Sequence, residues 1–268
     1  MKDIVVYSRN DQPEKSPAYI CIGFFVVVLI LISVCALIWM IWRNGNEVEA
    51  VVVSEEQSAM RLPTLVIDAG HGGMDGGAVG SDGTLEKEIN LAVAKRLATL
   101  FKLAGLDCVM TRTEDVMVVD DDVKERRKMH DLKNRLAIVN GIMEDGKEAV
   151  LISIHMNNFS VAKYSGLQVW YSKNNEQGEK LASAVQSYAR TWLDSENDRE
   201  IKSATSAIYL LDRAISPAIL IECGFLSNPD ECAKLKSVEY QTDLAAVIFA
   251  AVCEWVGEGS VISGELKK

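Results

Sequence analysis

The stretch Leu65–Leu97, LVIDAGHGGMDGGAVGSDGTLEKEINLAVAKRL, decides how the chain is read. It opens on a short apolar run that reads, with Thr64, as a buried strand, TLVIDA. The run stops at His71 in a chain with only three histidines, and seven glycines crowd the positions from Gly70 to Gly83. Glu86 then opens a segment with apolar residues at Ile89, Val93, Leu97 and Leu100, the spacing of one face of a helix.

The alternation continues outward. DCVMT (107–111), AVLISIH (149–155), GLQVWYS (166–172), AIYLL (207–211) and AILIE (218–222) read as further short strands. Glu86–Ala104, Val123–Ile142, Gly178–Leu193 and Tyr240–Val256 read as helices, the last ending at Gly257. Asn228 and Pro229 are a cap and a first residue for another short helix. Strands alternating with helices predict an α/β domain, with helices on the faces of one sheet.

At the front, Ala18–Trp42 carries no charged residue across 25 positions. At about 1.5 Å per residue, such a helix spans a hydrocarbon core of about 30 Å. Lys2, Arg9 and Lys15 precede the run and only Arg43 follows closely, so the N-terminus is expected inside and the rest outside the cytoplasm. The competing reading is a cleaved signal peptide cut near Val34-Cys35-Ala36, but the run exceeds the usual apolar region of about 7–15 residues. The expected organisation is a leader (1–17), a transmembrane anchor (18–42), a tether (43–62), a catalytic domain (63–257) and a flexible tail (258–268).

Six cysteines lie singly, with no C-x-x-C pair to suggest a zinc ribbon, and read as small hydrophobes. A net charge of −10 argues against a nucleic-acid partner.

Four polar residues stand where apolar structure should continue. His71 follows LVIDAG, His155 ends VLISIH, Glu222 ends PAILIE, and Glu86 shares the inward stripe of Ile89 and Val93. Glu88 falls on the outward stripe with Ala92 and Lys95. A carboxylate on a buried stripe needs a cation or a proton. Two imidazoles and a carboxylate suffice to hold catalytic zinc, leaving one position for water. The glycines then bend the backbone and make room beside the metal. A carboxylate at a strand end, such as Glu222, can move the water's proton to a leaving amine, a transfer usually contributing about 10²–10⁴-fold. Strand-end histidines also serve as hydrogen-bonded structural residues, and spacing alone leaves both readings open. His130, on a charged helix, takes the structural one. GGAVGSDG lacks the Lys-Ser/Thr of a phosphate loop.

With these residues in place, the chain resembles the zinc-dependent N-acetylmuramoyl-L-alanine amidases. The matching stretches are VIDAGHGGMDGGAVG, LEKEINLAVAKRL, Thr111-Arg112, LKNRLAIVN, SIHMNN, SGLQVWYS and ILIECGFLSNPDE, in the family's order from Leu65 to Val256. The resemblance implies a single twisted, mostly parallel mixed sheet. It implies Zn2+ held by His71, Glu86 and His155, with Glu222 as the catalytic carboxylate. It also implies hydrolysis of the peptidoglycan amide joining N-acetylmuramic acid to L-alanine. Gly76-Gly77 stands where a proline is common. Met156 replaces a small residue and is expected to narrow the cleft. Only FSVAKYS (159–165) fills an interval where some relatives carry an inhibitory helix. The short architecture is most similar to sporulation amidases acting on spore cortex, with positioning left to the membrane anchor or to a protein activator. Two other readings compete: an inactive wall-binding scaffold, and a zinc peptidase cutting within the stem peptide.

Overall fold

Every residue of the first strand, β1 (Thr64–Ala69), is buried, as a strand covered on both faces must be. The computed structural model describes residues 32–36, 39, 62–120 and 122–265, with side chains up to residue 258. Six strands form one sheet: β1, β2 (Cys108–Met110), β3 (Ala149–Asn157), β4 (Gln168–Tyr171), β5 (Lys202–Ser203) and β6 (Ala218–Phe225), in the order β2-β1-β3-β6-β4-β5. The pairings β2-β1-β3-β6 are parallel, and β4 runs antiparallel to β6. The mixed, mostly parallel α/β sheet expected from the sequence is therefore present.

Helices α1 (Glu86–Leu103), α3 (Glu176–Trp192) and α6 (Val238–Glu265) share one face. There Leu65 and Ile67 pack in one core with Val93, Leu97, Leu181 and Ile248, all fully buried. The opposite face carries α2 (Arg127–Glu144) and the five-residue α4 (Tyr209–Arg213), which cover Val66, Leu151 and Leu220. Asn228 caps the short α5 (Pro229–Lys236) by accepting from the backbone N–H groups of Asp230 and Glu231, as Asn-Pro predicts.

Three expectations change. AIYLL does not extend as a strand; Leu210 and Leu211 are buried in α4 instead. The last helix does not end at Gly257 but continues to Glu265. Gly257 is exposed with nothing within 4 Å, so it only weakens the helix, by about 1 kcal/mol against alanine. The second helix begins at Arg127, after Arg126 takes a left-handed conformation at φ 51°.

The proposed anchor and tether lie largely outside the described residues. Residues 32–36 and 39 of the apolar run are helical. Among the described residues, no helix is long and apolar enough to cross a membrane. The described cysteines, Cys35, Cys108, Cys223, Cys232 and Cys253, are all free thiols, and Cys223 and Cys232 sit in the main core.

Candidate metal centre and active site

His71, Glu86, His155 and Glu222 come together toward the carboxyl ends of the interior strands β1, β3 and β6, where β6 runs on past Glu222 to Phe225. β1 delivers His71 two residues past its end. β3 carries His155, and β6 carries Glu222 as the direct register partner of His155. Matched residues on parallel neighbours face the same way. Alternation sets His155 and Glu222 with Leu151 and Leu220, on the side that α2 and α4 cover. Glu86 enters from the first turn of α1, 3% exposed, on the stripe of Ile89 and Val93. Glu88 is exposed, as its position on the outward stripe requires.

One carboxylate holds both imidazoles. His71 Nε2 lies 3.1 Å from Glu86 Oε2, and His155 Nδ1 lies 2.8 Å from Oε1. The rings meet edge to face with centroids 4.9 Å apart. The backbone N–H groups of Ala78 and Met156 donate to Oε2 and Oε1 at 2.8 and 3.0 Å. Asn90 Nδ2 adds a bond of 3.2 Å to Oε1. Burial opposes the charge on Glu86, but the two imidazoles outweigh it and hold its carboxyl well below the usual range. For His71, burial acts against the imidazolium, while Glu86 and then Asp75 reverse this and raise its pKa.

The glycines serve the side chains of this cluster first. A Cβ on Gly70 would stand 2.3 Å from the His155 ring. At Gly77, whose φ is +69°, it would stand 2.5 Å from Glu86 Oε2 and 2.7 Å from His71 Cδ2. The expectation that they clear space beside a metal is thus sharpened: they admit the three side chains themselves.

Those three side chains fit a metal. Each offers one donor atom, and the three donors lie within 4.8 Å of one another. Two nitrogens and a carboxylate oxygen are a zinc donor set, whose bonds of about 2.0–2.2 Å place neighbouring donors a little over 3 Å apart. Glu222 stands beside this set without joining it. Its Oε2 is shielded from solvent and has no hydrogen-bond partner among the described residues. Burial pushes its carboxyl up; His155 opposes the rise and Glu86 adds to it, leaving the pKa raised. A carboxylate so placed is poised to take a proton.

A second buried cluster escaped the sequence reading. Asp68, 1% exposed, accepts from Arg135 Nη1 at 2.7 Å, Ser153 Oγ at 2.6 Å and Thr111 Oγ1 at 2.7 Å. Arg135 also binds Asp131 at 2.8 Å and donates to the carbonyls of Ala69 and His71, each at 2.7 Å. Arg112 donates to the carbonyls of Ala69 and Gly70 at 2.8 and 3.0 Å. Two guanidinium groups thus pin the turn that carries His71, itself at φ 60°. The available signal was an aspartate inside an apolar strand.

Other positions resolve plainly. Met156 does not narrow the cleft: its side chain is 3% exposed in the main core, facing away from His155. His130 is exposed on α2, apart from the cluster. Residues 159–165 contain no helix.

Comparison with known proteins agrees with this arrangement. The chain is 35% identical over 196 residues to the germination-specific N-acetylmuramoyl-L-alanine amidase of Bacillus subtilis (strain 168), covering 72% of this chain and 80% of that one. The solved CwlD amidase from Clostridioides difficile, in complex with the GerS lipoprotein, superposes with a TM-score of 0.68 at 34% identity, covering 73% of this chain and 98% of that one. The catalytic domain of CwlV, an amidase from Bacillus (Paenibacillus) polymyxa var. colistinus, gives 0.59 at 26% identity, covering 73% and 98%. The family profile described as N-acetylmuramoyl-L-alanine amidase matches residues 65–254, a span that holds all four site residues and all of the sheet but Thr64, and the chain belongs to that family of peptidoglycan amidases.

Proposed function

We propose that this amidase is zinc-dependent, with His71, Glu86 and His155 holding the metal and Glu222 serving as the general base. The observation that carries the reading is two imidazole nitrogens facing the two oxygens of one buried carboxylate, at 2.8 and 3.1 Å. Zinc bound there supplies Lewis acidity, polarising a carbonyl and lowering the pKa of a water to about 7.

The chain's own residues do the rest. The Glu222 carboxylate takes a proton from the attacking water as the water oxygen bonds to the lactyl carbonyl carbon of N-acetylmuramic acid. The same carboxyl then hands that proton to the departing nitrogen of L-alanine as the C–N bond breaks. The raised pKa of Glu222 suits both transfers, because a carboxyl closer to neutrality is the better proton carrier. Arg135 and Arg112 hold the carbonyls of the His71 turn, so the metal-binding ring does not drift.

In the same reading the enzyme works on spore cortex, outside the cytoplasm, tethered by the apolar run 18–42. The 35% identity to a germination-specific amidase supports the first part, and the uncharged length of that run, with basic residues ahead of it, supports the second. A protein activator belongs to the reading, since one relative was solved together with a lipoprotein. The test is metal analysis of the full-length protein. About one zinc per chain is expected, and His155→Ala should lose it; equal zinc in both would count against the assignment.

A further inference from the structure

His71 is gripped at both ring nitrogens, and only one of them faces Glu86. The other, Nδ1, lies 2.8 Å from Asp75 Oδ2. That same oxygen lies 3.1 Å from Lys128 Nζ, which reaches across from the first turn of α2. The turn between the two residues is closed by reciprocal backbone bonds, Gly72 N–H to the Asp75 carbonyl at 2.9 Å and Asp75 N–H to the Gly72 carbonyl at 3.1 Å. His71 therefore sits at φ 60° with its carbonyl held by Arg135 and its ring held by Asp75. Nothing comparable holds the second histidine: among the described residues, the one carboxylate bonded to His155 is Glu86 itself. Asp75, Lys128, His71 and His155 line one common cavity.

We propose that Asp75 is a positioning residue for the metal, fixing the tautomer and rotation of His71 so that Nε2 is the unprotonated donor, with Lys128 steadying the Asp75 carboxylate from the other side. An imidazole can ligate through Nε2 only if the proton resides on Nδ1, and a carboxylate accepting from Nδ1–H keeps it there. The inference rests on the zinc reading above. Carboxylates in this role typically change metal affinity or activity about 10–100-fold when removed. Asp75 Oδ2 is more than a staple of the loop, because the loop is already closed by the two backbone bonds and by Arg135 without it.

The test measures zinc affinity of the full-length protein by competition with a chelator, alongside thermal midpoints of the metal-free protein. Asp75→Ala should weaken zinc binding about 10–100-fold, and Asp75→Asn, whose amide oxygen still accepts from Nδ1–H, should restore part of the loss. Lys128→Met should produce a smaller loss in the same direction. The metal-free midpoint of Asp75→Asn should stay near wild type. Unchanged zinc affinity in Asp75→Ala overturns the proposal. So does a loss in both variants that tracks a collapse of the metal-free midpoint. Failure of wild type itself to bind zinc overturns the zinc reading and this proposal with it.

Discussion

His155 and Glu222 are register partners on adjacent parallel strands, β3 and β6, and their side chains emerge on the same face of the sheet. One turns toward Glu86, and the other carries an oxygen with no partner among the described residues. The proposed function gives these neighbouring strand positions separate tasks, metal binding and proton transfer, and substitution should separate them.

Glu222→Gln keeps the side chain's shape while removing its ability to take a proton. Activity should fall about 10²-fold or more, the usual scale for a lost general base, with zinc content unchanged. Loss of zinc along with activity would move Glu222 into the metal's own ligand set.

Glu86→Gln should lose metal and activity together, because one oxygen facing each imidazole is what assembles the cluster. Glu88→Gln, on the exposed side of the same helix, should change neither. Zinc analysis and turnover on the same preparations check both.

Gly70→Ala would place a methyl group 2.3 Å from the His155 ring. Overpacking of this kind costs about 1–3 kcal/mol, which for a domain of this size lowers the thermal midpoint by about 2–4 °C per kcal/mol. Zinc affinity should drop with it. An unchanged affinity would mean that the ring has room to move without consequence.

Much of this site is legible in the sequence. The helical period alone turned Glu86 inward and Glu88 outward, since a stripe shared with Ile89 and Val93 has only one side to face. His155 and Glu222 were visible as polar ends to apolar runs. What was illegible depended on distance or on brevity. The Arg135–Asp68 pair joins residues 67 positions apart, and no local pattern records such a partner. AIYLL has too few residues for periodicity to separate strand from helix. Lys202–Ser203 forms a strand of two residues, too short to alternate. The expectation for Met156 rests on its departure from the family's small residue, whereas strand alternation sends its side chain to the opposite face.

The Asp68 pair predicts an acid limb in stability. Burial alone would raise the Asp68 pKa, but Arg135, with help from the Ser153 hydroxyl, brings it below its ordinary 3.8. A carboxyl with a lowered folded pKa adds stability above its unfolded value, and that stability is lost as pH falls through the folded one. Wild-type urea midpoints should therefore decline below about pH 4. Asp68→Asn should be weaker at neutral pH by about 1.5–3 kcal/mol, because Arg135 loses a charged partner while keeping Asp131, and should decline less steeply in acid. An equally steep decline would remove Asp68 from the account.

The tethered, external placement proposed for the domain predicts that protease added to intact protoplasts removes it. Full protection would place it inside. A released product beginning near Leu37 would instead mark the apolar run as a cleaved signal.

The most direct measurement is mass spectrometry of purified peptidoglycan fragments digested by the full-length protein, with zinc and with a chelator. Intact stem peptides beginning with L-alanine and peptide-free N-acetylmuramic acid are expected in the presence of zinc, and neither with the chelator. Products cut within the stem peptide, the same products in both digests, or no products at all would contradict it.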